Sequence, residues 1–218
     1  MADWERARAQ MVESQLRGGG ITNAAILRQM RRIPREAFVA PDRRELAYAD
    51  DIQWFAGEDT RRFMAAPATL AKLVKLADVT EADTVLDVGA ATGYSTAVLA
   101  GLAASVLGLE QDGHLARQAT DVLSALGIGN ARVISANAAS LAGQHFDAII
   151  VQGALDGVPD TLVDLLAERG RLVALIRKGS VCLAHVFTRS GGKIAARAEF
   201  SAFLPPLYAP AGKEEFVF

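Results

Sequence analysis

A chain of 218 residues, half of it apolar and 22% charged, is long enough to bury a core as one domain, or one domain with a subdomain, and too apolar to be disordered. A net charge of −2 leaves no electrostatic footprint for nucleic acid or an anionic membrane, and the single cysteine, Cys182, excludes an intrachain disulfide and a cysteine-rich metal site. The opening MADWERARAQ has no signal-peptide core, and the longest apolar run, 97–109, is short of the ~20 residues of a membrane span, so the expectation is a cytoplasmic protein with no membrane or nucleic-acid partner.

Residues 3–17 place Trp4, Ala7, Met11 and Leu16 near one face and predict an amphipathic helix, ended by Gly18, Gly19 and Gly20. Thr22 or Asn23 caps a second helix with Ile26, Met30 and Ile33 inside and Pro34 as its stop. Arg28, Arg31, Arg32 and Arg35 read as its solvated outer face. Residues 41–66 show no period and read as an extended loop carrying an exposed aromatic pair, Trp54 and Phe55; a loop of this length is often a lid or substrate loop. Pro67 opens a helix whose buried stripe is Leu70, Leu73, Val74 and Ala77.

Residues 84–97, TVLDVGAATGYSTA, are a buried strand, a glycine turn and the start of a helix. Strands follow at 105–109, 131–135, 146–151 and 171–176, with helices at 114–126 and 158–167. Two last strands, 181–188 and 194–203, flank Ser190-Gly-Gly192, a hairpin signal. This alternation predicts an α/β fold: a doubly wound, Rossmann-like sheet, mostly parallel with an antiparallel C-terminal edge, preceded by N-terminal helices. Cys182 falls in a strand as a buried thiol.

Asp87, Glu110 and Asn137 end successive strands, where open α/β sheets bind ligands. Glu110 stands 21 residues beyond Gly89, near the ~20-residue spacing of an acidic residue that holds ribose hydroxyls. Asn137 is placed to bond an adenine edge. A dinucleotide site wants G-x-G-x-x-G, because a pyrophosphate needs a second close backbone approach. Here the turn is Gly89, Ala90, Ala91, Thr92, Gly93, with Tyr94 next, which suits an adenosyl ligand without phosphates. His114, His145 and His185 lack metal-ligand spacing, and no metal site is expected. Asp50 and Asp51 read as a solvated loop pair.

MVESQL (11–16), Gly20-Ile21, MRRIPREAFV (30–39), VLDVG (85–89) with Gly93, Tyr94 and Ala97, FDAIIV (146–151) with Pro159 and Leu162, GRLV (170–173) and FLPPL (203–207) together resemble the protein-L-isoaspartate O-methyltransferases over nearly the whole chain. The resemblance implies a methyltransferase using S-adenosyl-L-methionine on a protein or peptide carboxylate, that of isoaspartyl residues in damaged proteins. It divides the chain into an N-terminal helical region and substrate loop, 1–66, and a cofactor-binding domain, 67–218. Cofactor contacts fall on Asp87, Gly89, Ala90, Ala91, Gly93, Tyr94, Glu110, Asn137 and Ala138. The chain departs from the family at FMAAP (63–67), where the family carries a Thr-Ile-Ser-Gln-Pro type segment: Phe63 stands at its threonine and Ala65 at the hydroxyl beside the acceptor, so no catalytic residue is assigned. Ala91 stands for a glycine, Asn137 for an acidic residue, and QGA (152–154) for Thr-Ala-Ala. The alternatives are a methyltransferase with a different acceptor and a non-catalytic member that binds a cofactor or partner.

Overall fold

The N-terminal helix α1 (Trp4–Gln10) begins at Asp3, whose carboxylate accepts the Arg6 amide, and runs on through Met11–Arg17 with π-helical pitch. Met11, Val12 and Leu16 of the wider turn are buried. This computed structural model describes residues 3–55 and 62–208. Asn23 caps α2 (Ala24–Arg32) by accepting the amides of Ala25 and Ile26, and Ile26, Leu27 and Met30 face inward. Arg28, Arg31 and Arg32 are solvated as expected, but Arg35 is not. Pro34 ends the helical register, and a 3-10 turn (Arg35–Phe38) carries Arg35 into the core at 0% exposure. There its Nε donates to the Ala47 carbonyl and its Nη2 to the Ala65 carbonyl, both at 2.7 Å.

The expected extended loop over 41–66 is corrected for its described part. Pro41–Leu46 forms a 3-10 helix, and β1 (Gln53–Phe55) pairs antiparallel with β2 (Arg62–Met64), setting Trp54 against Phe63 and Phe55 against Arg62. Residues 56–61 of the predicted loop lie outside the described residues. Strands of three residues, one of them buried throughout, leave no alternation for a period to register. Trp54 is exposed as predicted, while Phe55 is half-buried.

From Pro67 the chain winds as α3 (Pro67–Ala77), β3 (Thr84–Val88), α4 (Tyr94–Ala100), β4 (Ser105–Glu110), α5 (Gly113–Ala125), β5 (Ala131–Ser135), β6 (Phe146–Leu155), α6 (Asp160–Val163) and β7 (Leu166–Lys178). Antiparallel β8 (Val181–Ser190) and β9 (Lys193–Ser201) complete a seven-stranded sheet in the order β5-β4-β3-β6-β7-β8-β9. The predicted fold class therefore holds, and Cys182 is buried in β8. The 158–167 helix shrinks to four residues, because Leu166 already pairs with Phe146 in the sheet. Alternate strand residues feed two cores. Val85, Val106 and Ile150 pack with the N-terminal helices, α3, α4 and α5; Leu86, Leu107 and Ile149 pack with Leu162 and Leu166 on the other face.

After β9 the chain turns back across the carboxyl end of β6. Ala154 donates to Pro205 and accepts from the Leu207 amide, both at 2.9 Å. That return lays Leu207 over the glycine turn.

Candidate functional site

Every expected cofactor position lies at the carboxyl end of β3, β4 and β5. Within residues 89–93 three take left-handed backbone: Gly89 at φ 82°, Ala91 at 49° and Gly93 at 90°. The Gly89 and Ala90 amides both donate to the Leu109 carbonyl, at 2.8 and 3.0 Å, which ties the turn to the end of β4. Ala91 therefore holds a conformation that glycine adopts freely and alanine resists.

Asp87 and Glu110 are both fully buried. Asp87 Oδ2 accepts the hydroxyls of Ser95 and Thr96 at 2.6 Å, and Oδ1 accepts the Gln152 amide at 2.8 Å. Burial pushes its carboxyl above the usual carboxylate range, against the pull of those three hydrogen bonds. These bonds fix the first turn of α4 to the end of β3.

Glu110 Oε2 accepts the Ala91 amide at 2.8 Å, and Oε1 accepts the Asp112 amide at 3.0 Å. A third donor comes from the hairpin: Arg62 Nη2 meets Oε2 at 2.6 Å, and Nη1 donates to the Leu207 carbonyl at 3.0 Å. Arg62 is 6% exposed. Sequence reading missed it inside the 41–66 loop; the only signal was a charge heading the apolar run at 63–68.

Asn137 is exposed and caps the short 3-10 turn Ala138–Leu141, accepting the Ser140 amide at 3.3 Å. With Ala138 it faces Arg62, Gly89 and Leu207 across a cavity of about 10 Å³. A second cavity of about 10 Å³ lies between Ala65, Phe63, Gly89, Ala90, Tyr94 and Gln152. Tyr94 packs edge-on to Phe38 and lies under the Arg35 guanidinium, 4.7 Å from the ring centre. Its buried hydroxyl has no hydrogen-bond partner among the described residues. Two larger clefts, about 450 and 440 Å³, sit elsewhere, at the amino ends of β3 to β5 and between α3 and β9.

The arrangement suits an adenosyl ligand: a buried carboxylate that accepts hydrogen bonds at the end of β4, beside a turn that admits close approach. The volume is held by two side-chain tips from other segments. A Cβ on Gly89 would lie 2.4 Å from Leu207 Cδ1 and 3.5 Å from Arg62 Nη2. Both tips belong to flexible side chains, so the residue set fits the group once they turn aside.

Residues 6–212 match the family model of Protein-L-isoaspartate(D-aspartate) O-methyltransferase (PCMT). The chain belongs to this family. A protein-L-isoaspartate O-methyltransferase of Koribacter versatilis is 34% identical over 94% of each chain. One from Methylorubrum populi is 38% identical over 78% of this chain and 79% of its own. In fold, the chain is similar to a Plasmodium falciparum structure assigned to protein-L-isoaspartate O-methyltransferase, in complex with S-adenosyl-L-homocysteine. The TM-score is 0.80 at 24% identity, covering 92% of this chain and 98% of that one. Membership makes the chain an S-adenosylmethionine-dependent methyltransferase by family. Among the described residues no helix is long and apolar enough to cross a membrane.

Proposed function

We propose that this chain transfers a methyl group from S-adenosyl-L-methionine to the carboxylate of an isoaspartyl residue in a protein or peptide. The observation that carries the reading is Glu110, fully buried at the end of β4 and bonded to the Ala91 amide of the glycine turn. In this reading Glu110 takes the ribose hydroxyls, the 89–93 turn faces the methionine end, and Asn137 and Ala138 flank the adenine. Bound there, the cofactor supplies an electrophilic methyl on a sulfonium. The acceptor carboxylate is already ionised near neutral pH, so the chain needs no general base. Its task is to hold acceptor oxygen and methyl in line, and alignment of this kind supplies a large part of a rate. The acceptor class excludes nucleic acid, in keeping with a net charge of −2, and one buried unpaired cysteine suits the reducing cytoplasm.

Two measurements test this. Labelled methyl should pass to an isoaspartyl peptide and not to its aspartyl isomer; equal labelling of both, or of neither, sinks the substrate assignment. Calorimetry with S-adenosylhomocysteine should show binding that Glu110→Ala weakens by about a hundredfold, the loss of two charge-assisted hydrogen bonds. Unchanged affinity would remove Glu110 from the site.

A second reading keeps the donor and changes the acceptor. It is favoured by Phe63 and Ala65, both 4% exposed and both without a hydroxyl, on the wall beside the glycine turn. Labelling of another carboxylate from a cell extract, with the isoaspartyl peptide unlabelled, would select it.

A further inference from the structure

Arg62 is the residue that the proposed reaction does not yet use. It is a buried cation on the hairpin, joined to Glu110 by a 2.6 Å ion pair and to the returning C-terminal segment through the Leu207 carbonyl. Its Nε is buried with no hydrogen-bond partner among the described residues. We propose that Arg62 is exchanged between two carboxylates: it neutralises Glu110 in the free chain, and it receives the acceptor carboxylate once ribose hydroxyls take Glu110. This rests on the reading of Glu110 given above.

The capacity of Glu110 sets up the exchange. A carboxylate offers about four acceptor sites. Ala91 and Arg62 use two on Oε2, and Asp112 uses one on Oε1. Two ribose hydroxyls need one site more than remains. The Ala91 and Asp112 donors are backbone amides held by the turn and the strand end. Arg62 alone of the three comes from a separate element through a long side chain, so it is the donor that yields. It also stands in the way: its Nη2 is 3.5 Å from the point where a Cβ on Gly89 would sit, on the face the turn presents to a ligand.

Displacement leaves a buried cation without its counter-charge, a strongly unfavourable state that an anion relieves. Gly89 lines both small cavities, and the second is walled by Phe63 and Ala65, which follow Arg62 in the chain. Residues 63–66 carry no polar side chain. Of the polar groups on that cavity, Ser95 and Gln152 are turned to Asp87, and the third, the Tyr94 hydroxyl, carries no charge. Arg62 lines the first cavity, which shares Gly89 with the second, and an acceptor carboxylate entering beside the turn meets it in the forked geometry guanidinium favours. Donor and acceptor then bind with positive coupling, and by linkage each raises the other's affinity by the same factor.

The test is calorimetry of S-adenosylhomocysteine with the full chain, alone and with a saturating isoaspartyl peptide, for wild type, Arg62→Gln and Arg62→Lys. Wild type should bind the probe about fivefold or more tightly with the peptide present. The same peptide with that carboxylate amidated should have no effect. Arg62→Gln should bind the probe alone more tightly than wild type, because its competitor is gone, and should show no peptide effect. Its KM for the peptide should rise while kcat changes less. Arg62→Lys, which keeps a cation, should retain part of the coupling. Weaker probe binding by Arg62→Gln, or coupling that survives in it, would overturn the exchange while leaving the Glu110 reading standing. Failure of the probe to bind any of the three proteins would remove both.

Discussion

Asp87 and Glu110 end neighbouring parallel strands, both are fully buried, and their partners differ in charge and in the elements that carry them. Asp87 is held by Ser95 and Thr96, eight and nine residues on, and by Gln152 on the adjacent strand. All three are neutral. Glu110 takes two backbone amides, from Ala91 and Asp112, and then a cation 48 residues away, on a hairpin whose arginine also grips Leu207, 145 residues further along. One carboxylate is the peg of a rigid floor, and the other is where the roof is fastened. A bond between floor and helix has nothing to release. A bond between a carboxylate and a long side chain of a separate hairpin can be exchanged without disturbing the sheet.

The largest effect that separates them is a double-mutant cycle on the roof contact. Arg62→Met leaves Glu110 as an uncompensated buried charge, and Glu110→Gln does the same to Arg62. Each single change should cost about 3–5 kcal/mol in chemical unfolding. The combined variant should cost less than either, because the amide oxygen that Glu110→Gln introduces still accepts a backbone amide and no charge is stranded. Additive losses would show that the pair is screened by water, and that the roof is looser than its geometry.

The same division explains what was legible in the sequence. Every part of the floor lies within residues 84–112 plus one neighbouring strand, so strand propensity, glycines and the 21-residue spacing to Glu110 register directly. The roof is made of long-range contacts between three-residue strands and an irregular return, and no period encodes those. Arg35 shows the failure in small. Its spacing after Arg28, Arg31 and Arg32 continues a solvated face, but Pro34 turns the chain, and the guanidinium ends over Tyr94 at 0% exposure. Asn137 follows the end of β5, where the strand pattern puts it, and stands beside the cavity, while its side-chain oxygen caps the turn that follows.

A smaller effect tests how tightly the roof presses on the floor. In Gly89→Ala the added methyl meets Leu207 Cδ1 at 2.4 Å, at a φ of 82° that disfavours a side chain. The expected loss is about 1–3 kcal/mol, part backbone and part displaced leucine. Adding Leu207→Ala separates the two: the combined loss should fall below the sum of the single losses by thermal unfolding. Strict additivity would mean that Leu207 already moves freely off the turn.

The smallest effect concerns the floor alone and compares two adjacent alanines. Ala90 and Ala91 are equally buried, at 3% exposure, but only Ala91 has a left-handed backbone, at φ 49°. Replacing either by glycine removes a buried methyl, about 0.8 kcal/mol, and loosens the unfolded chain by roughly 0.4–1 kcal/mol. At Ala90 nothing offsets those terms, so Ala90→Gly should lose about 1–2 kcal/mol. At Ala91 the left-handed strain of about 1–2 kcal/mol is released, so Ala91→Gly should stay within about 0.5 kcal/mol of the parent. Equal losses at the two positions would mean that Ala91 bears no strain, and that the alanine fits the turn as well as glycine does.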